Sequence, residues 1–320
     1  MFKQLVSICL FASLVWLVGC SDKASKETGN ASEMEENIQT HAVSKHEVAE
    51  KELPVVVKVV DPSTQEVIRE IVPKEMDYYN QPEMFQMEIE QWARELARGD
   101  GNQRGYDQRM VLDKIDQAGQ IRKGQPKIIL EETELVERIM EASQNGGVVE
   151  LPVYVTESGY DPEEVPALDD LILASYTTYF DPVVAGRTTN IQLSANSINN
   201  TIIGVEDIFS FNTTIGPSDA AHGYQPAKEI VNKKLVDGIG GGICQTSSTL
   251  FNAIDQVGVS YIERHHHSLG VGYVPKGRDA TVSWGGVDFQ FQNTTGVPFL
   301  LKAYTNGGSI TVEVRSKRPL

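Results

Sequence analysis

The sequence predicts an α+β protein, with two α+β domains behind a lipoprotein signal and a disordered tether. Three observations lead there. Short β-branched runs, bounded by Gly, Pro, Asn and Asp, alternate irregularly with segments of helical spacing. After Ala280 the β-prone runs follow one another with no helix between them, which favours an antiparallel meander at the C-terminal end. A length of 320 residues with 40% apolar content suffices for two buried cores.

In chain order, Lys3 gives a short basic start, and Leu5 to Val18 is an apolar run too short for a confident membrane span. It ends in Leu17-Val18-Gly19-Cys20, and the polarity breaks abruptly after Cys20. Residues 1–19 therefore resemble a bacterial lipoprotein signal peptide, with Cys20 the lipidated residue. Residues 20–53, rich in Lys, Glu, Ser and Asn, read as a disordered tether. His41 and His46 fall within it as solvated residues.

The first domain is expected over residues 54–158. Val55 to Val60 and Glu66 to Val72 read as strands around the turn signal Asp61-Pro62-Ser63. Phe85, Ile89, Trp92 and Leu96 have helical spacing and stop at Gly99-Asp100-Gly101. Lys127 to Leu130 reads as a strand, Glu131 to Ser143 as a helix, and Val148 to Val155 as one further strand. This unit resembles a peptidoglycan-binding module.

Gly159 to Pro166 reads as a linker, and the second domain spans 159–320. Ile172 to Tyr179 is a predicted strand, Arg187 to Ile198 a helix, and Thr201 to Ile203 and Phe209 to Phe211 short strands. Glu229 to Val236 reads as a hairpin turning near Asn232-Lys233. Ile243, Leu250, Phe251, Ile254 and Val257 fall near one helix face, stopped at Gly258. Strands are expected at Ala280 to Trp284, Val287 to Gln292, Pro298 to Tyr304 and Ser309 to Val314.

The chemistry concentrates in Gly240-Gly241-Gly242-Ile243-Cys244-Gln245 and in Glu263-Arg264-His265-His266-His267-Ser268. With Cys9 in the signal and Cys20 lipidated, Cys244 is the remaining thiol of an exported chain, where cysteines are usually paired. Glycines allow positive φ and close approach to a ligand. A helix N-terminus can lower a thiol pKa from roughly 8.5 to about 3.5–7.5. If Val259 to Ser268 is extended, Glu263, His265 and His267 share one face, and Arg264, His266 and Ser268 share the other.

The expected site is therefore Cys244 as nucleophile, His267 or His265 as base and Asp279 as orienting acid. The N–H groups of Cys244 and Gln245, with the Gln245 side chain, are candidates to hold an oxyanion. Gly241, Gly242, Arg264 and Asn212 are candidate substrate-binding residues. Two other chemistries fit the same residues. Cys244, His265, His267 and Asp279 offer mixed ligands suited to zinc, without a finger spacing. Alternatively the glycine loop, Arg187, Asn190 and Asn212 line a groove that binds cell wall without catalysis. No cofactor is expected. The net charge of −16 disfavours nucleic acid as a partner.

The second half resembles the VanW family. The resemblance is carried by Ser175-Tyr176-Thr177-Thr178, Phe209-Ser210-Phe211-Asn212, Gly216-Pro217, Gly223-Tyr224, Val236 to Gln245, Thr249 to Ala253, Glu263-Arg264-His265 with His267-Ser268, and Gly277 to Val282. The N-terminal half also resembles that of some VanW proteins. One departure is His266, where the family more often carries proline. The resemblance implies an extracytoplasmic, membrane-anchored factor of cell-wall metabolism. Peptidoglycan is then the expected partner and its peptides the expected acyl substrate.

Overall fold

The computed structural model describes residues 53–101, 103–231 and 233–320. The signal peptide, Cys20 and the tether lie outside the described residues. The described part is one compact α+β unit.

Strands β1 (Val57–Val60) and β2 (Val67–Ile71) form an antiparallel pair. Helix α1 (Pro82–Arg98) starts with a proline in its first turn, where no N–H is required. Phe85, Ile89, Ala93 and Ala97 make its buried stripe at four-residue spacing. Gly99 ends it at φ +80°, and a Cβ there would sit 2.3 Å from the Gln103 carbonyl oxygen. Strands β3 (Lys114–Ile115), β4 (Ile121–Arg122) and β5 (Lys127–Leu130) follow. Helix α2 (Glu132–Ala142) buries Leu135, Val136 and Ile139.

The run expected as one strand at Val148 to Val155 is two, β6 (Gly147–Glu150) and β7 (Val153–Thr156). Leu151-Pro152 separates them, and proline supplies no N–H to continue a ladder. β6 runs parallel to β1, whereas β7 pairs antiparallel with β5. Phe85, Ile89, Leu130, Leu135 and Ile139 centre the first core.

The segment expected as a linker contains a 3-10 helix at Pro162–Ala167, capped by Asp161, whose carboxylate accepts from the Glu163 N–H. Next come β8 (Leu171–Tyr179), α3 (Ala185–Ile198), β9 (Thr201–Ile203), β10 (Ile208–Ser210) and the short α4 (Phe211–Ile215). Phe211, expected in a strand, begins α4 because Ser210 caps it by accepting from the Thr213 N–H. A hairpin of β11 (Pro226–Val231) and β12 (Lys234–Ile239) leads to α5 (Ile243–Ile254). Strands β13 (Ser260–Glu263), β14 (Gln290–Gln292), β15 (Phe299–Asn306) and β16 (Ser309–Ser316) complete the chain.

The main sheet has the order β4-β3-β9-β15-β16-β8. β15 and β16 form its central hairpin, turning at Gly307 and Gly308, both at positive φ. The β3–β4 hairpin, which precedes Gly159, pairs through Lys114 with Thr201 of β9, so the first half lends two strands to the second half's sheet. β14 does not join this sheet: it lies between β10 and β13 in a separate three-stranded sheet. Residues 280–289, expected to hold strands, are largely irregular.

Helix α5 packs on β8 and β16 and beside α3. Its Phe251 meets Phe289 edge-on at 5.9 Å, and Phe291 stacks on Phe209 of the small sheet at 5.0 Å. The helix is thus enclosed from several sides, and Ile243 and every residue from Gln245 to Ile254 are buried. Most of its polar residues are satisfied across these contacts, Ser247 Oγ being the exception: Thr249 bonds the Thr178 hydroxyl at 2.7 Å, Thr246 that of Ser194 at 2.7 Å, and Asn252 the Arg278 carbonyl at 2.8 Å. Buried hydroxyls left unpaired would each cost about 1–3 kcal/mol, so these bonds permit a polar helix in the core. No helix among the described residues is long and apolar enough to cross a membrane.

Candidate functional site

A cleft of about 770 Å³ opens at the N-terminus of α5. Its walls come from the glycine run, the first turn of α3, the β11–β12 hairpin, the 267–273 loop and residues 281–284. The glycines fix the approach. Gly242 is the N-cap of α5 at φ +118°, and a Cβ there would press on Arg187 Cγ and Ile191 Cγ1 at 3.1 Å. A Cβ on Gly241 would sit 2.6 Å from the Lys228 carbonyl oxygen. Both positions line the cleft, and both need glycine because α3 and the hairpin close on them.

Cys244 is the second residue of α5 and lines the cleft half-buried. Its thiol donates to the Val282 carbonyl at 3.3 Å. Burial pushes the thiol up to about 11, with Glu229 adding to the rise and Arg187 opposing it. The sequence argument expected the opposite direction. A helix terminus contributes roughly 0.3–1 kcal/mol, less than one pKa step of about 1.4 kcal/mol, and burial outweighs it here.

Gln245 lines the cleft, but its side chain is bonded within the protein. Its amide donates to Thr178 Oγ1 and to the Tyr179 carbonyl, both at 3.0 Å. Its oxygen accepts from the Arg187 guanidinium at 2.7 Å. The Gln245 backbone N–H is taken by the Gly242 carbonyl at 2.9 Å. The side chain expected to help hold an oxyanion is thus the one that holds Arg187.

The histidines separate. β13 ends at Glu263, so the face alternation expected through Ser268 does not hold. His267 is 6% exposed and lines the cleft with Cys244, whereas His265 and His266 are 48% and 49% exposed. His265 turns to Glu263 at 3.0 Å, and its backbone carbonyl accepts from the Thr281 N–H. Asp279 holds the other two: Oδ2 accepts from the His267 N–H and ring Nδ1, both at 2.7 Å, and Oδ1 meets His266 Nδ1 at 2.9 Å. Burial alone would raise the Asp279 carboxyl, but these bonds hold it at about 2. Asp279 is therefore an ionised acceptor. Nδ1–H of His267 donates to it, and in the neutral ring Nε2 then carries the lone pair.

Arg264 lies elsewhere. It donates to the Gly277 and Asp279 carbonyls and stacks over the Phe251 ring at 4.0 Å, stapling the 277–279 loop to α5. Asn190, expected in a groove, is fully buried and tied to Gln225 and to the Gly241 carbonyl. Asn212 lines the cleft and donates to the Ser283 and Val287 carbonyls, and its buried Oδ1 has no partner. Among the described residues, no group of three or more His, Cys, Asp and Glu side chains is arranged to hold a metal ion.

Three participants escaped the sequence reading. Tyr273 lines the cleft, with its ring 5.9 Å from the Arg187 guanidinium carbon, and burial pushes its phenol up. Glu229 and the apolar face of the hairpin line the opposite side. No local pattern marks these residues; the hairpin reading gave strands without saying what they cover.

The residues from Gly186 to Arg315 match the family model described as VanW like protein. A Bacillus subtilis (strain 168) chain named "Uncharacterized protein YoaR" is 42% identical over 173 residues, which is 54% of this chain and 57% of that one. An Enterococcus faecalis (strain ATCC 700802 / V583) chain named "Vancomycin B-type resistance protein VanW" is 30% identical over 132 residues, 39% of this chain and 48% of that one. The chain thus spans about half the length of the curated relatives it matches. No solved structure matches it significantly. The matched stretch carries α3, the glycine run, Cys244, the histidines and Asp279, and over that stretch the chain matches the VanW family.

Proposed function

We propose that the cleft is a cysteine acyl-transfer site acting on peptides of peptidoglycan, on a protein held outside the cytoplasm by a lipid on Cys20. One observation carries the chemistry: an imidazole fixed through Nδ1 by an ionised carboxylate shares a cavity with Cys244. In the proposed step, the Cys244 thiol leaves the Val282 carbonyl and gives its proton to His267 Nε2 as sulfur adds to the substrate carbonyl. The imidazolium then protonates the departing amine, and water or a second amine resolves the thioester. Because the resting thiol is neutral, proton removal accompanies attack instead of preceding it. The relative named as a vancomycin resistance protein supports a wall-related role.

The test is mass spectrometry of muropeptides incubated with wild type, Cys244→Ala and His267→Ala. New or lost crosslinks with wild type alone are expected. Unchanged muropeptides, or equal activity in Cys244→Ala, would remove the enzymatic reading.

A second reading is favoured by the thiol's bond to Val282 and its raised pKa: a wall-binding protein without catalysis. Pull-down on sacculi would then be equal for wild type and Cys244→Ser, with no muropeptide changed.

A further inference from the structure

We propose that the cleft recognises a zwitterion, a ligand bearing both a carboxylate and an ammonium group, with Arg187 taking the first and Glu229 the second. The proposal rests on the same cleft as the function above and names the chemical class of its ligand.

Arg187 leaves the first turn of α3 and lies over Gly242. It is half-buried, and burial lowers its pKa. Its side chain makes one hydrogen bond, to the neutral oxygen of Gln245, although a guanidinium offers five N–H donors. No carboxylate among the described residues pairs with it. Gln245 is itself pinned by Thr178 and Tyr179, so the guanidinium is held in place with the Tyr273 ring 5.9 Å away and no anionic partner among the described residues. Buried charges are ordinarily paired, and planar two-point binding of carboxylates suits arginine.

Glu229 stands on the hairpin. Its carboxyl lies against Gly238, where a Cβ would come within 2.6 Å of it, so the glycine makes its niche. It is half-buried, makes no hydrogen bond or ion pair among the described residues, and is pushed up by burial. The neighbouring Lys228 does not neutralise it, being paired with Asp237 at 2.9 Å. Arg187 and Glu229 do not pair with each other. The remaining wall is largely apolar, with Ile215, Ile230, Leu235, Leu269 and Trp284. Two opposite unpaired charges in a cavity of this volume fit a short peptide or amino acid that supplies both counter-charges.

The experiment measures binding, by calorimetry, of alanine, alanyl-alanine and alanyl-alanyl-alanine to the full chain carrying Cys244→Ala. Each ligand is also offered as its C-terminal amide and as its N-acetyl derivative. At least one free zwitterion is expected to bind, and either block is expected to weaken it about tenfold or more. Arg187→Met should bring the free acid down to the amide's affinity and leave the amide unchanged. Glu229→Gln should do the same for the N-acetyl form. Equal binding of free and blocked ligands, or no binding by any of the free forms, overturns the proposal. If a variant does not fold, the ligand series alone decides. Only binding is read here, so binding of a free zwitterion without any muropeptide change sinks acyl transfer alone, and muropeptide change with equal binding of free and blocked ligands sinks this proposal alone.

Discussion

Alkylation of Cys244 by iodoacetamide across pH tests the electrostatics of the cleft most directly. Burial holds the thiol at about 11. At pH 8 such a thiol is ionised to about one part in a thousand, against about one quarter for a free cysteine near 8.5. The structure therefore predicts alkylation roughly 200-fold slower than that of an unfolded chain at pH 8. The rate should climb about tenfold per pH step until near pH 11. Glu229→Gln removes a charge that raises the pKa and should speed the reaction at pH 8. Arg187→Met removes the opposing charge and should slow it. The assay is intact-mass spectrometry against time, with unfolded protein as reference. A rate already at its plateau by pH 7 would mean a thiolate–imidazolium pair at rest, and would refute the concerted proton removal described above.

Asp279 gives a pH window for stability. Its folded carboxyl lies at about 2 against the usual 3.8, so its contribution is present above pH 4 and is lost as pH falls from about 4 to 2. That difference corresponds to roughly 2 kcal/mol, and Asp279→Asn should flatten acid unfolding in that window as followed by circular dichroism. Gly241→Ala puts a methyl 2.6 Å from the Lys228 carbonyl oxygen, and it should cost about 1–3 kcal/mol in denaturant melts and open the hairpin to protease. Thr249→Val leaves the Thr178 O–H without its acceptor in the core, although that hydroxyl still accepts from Gln245, and should cost about 1–3 kcal/mol while leaving Cys244 alkylation unchanged.

Local periodicity made much of the fold legible. Phe85 and Ile89 gave α1, Leu135, Val136 and Ile139 gave α2, and Lys127 to Leu130 and Thr201 to Ile203 gave strands with those bounds. Gly99, expected to stop α1, ends it at positive φ. These features depend on residues close in sequence, so the sequence suffices for them. The glycine run and its cysteine were likewise visible as a helix start.

What only the tertiary structure decided depends on distant neighbours. Apolar spacing suggested one buried face for α5, but the two sheets and α3 enclose it all round. His265 and His267 were equivalent candidates in sequence; the cleft receives only His267, and Asp279 engages it together with His266. Position at a helix start argued for an acidic thiol, yet the sign of its shift was set by how much water the surrounding walls exclude. Arg187 and Glu229 are 42 positions apart by their numbering and carry no shared motif, so their lining of one cavity follows from packing α3 against Gly242 and the hairpin against Gly241 of the same run. Side-chain spacing is a property of the local chain, whereas desolvation and charge pairing are properties of the assembled fold.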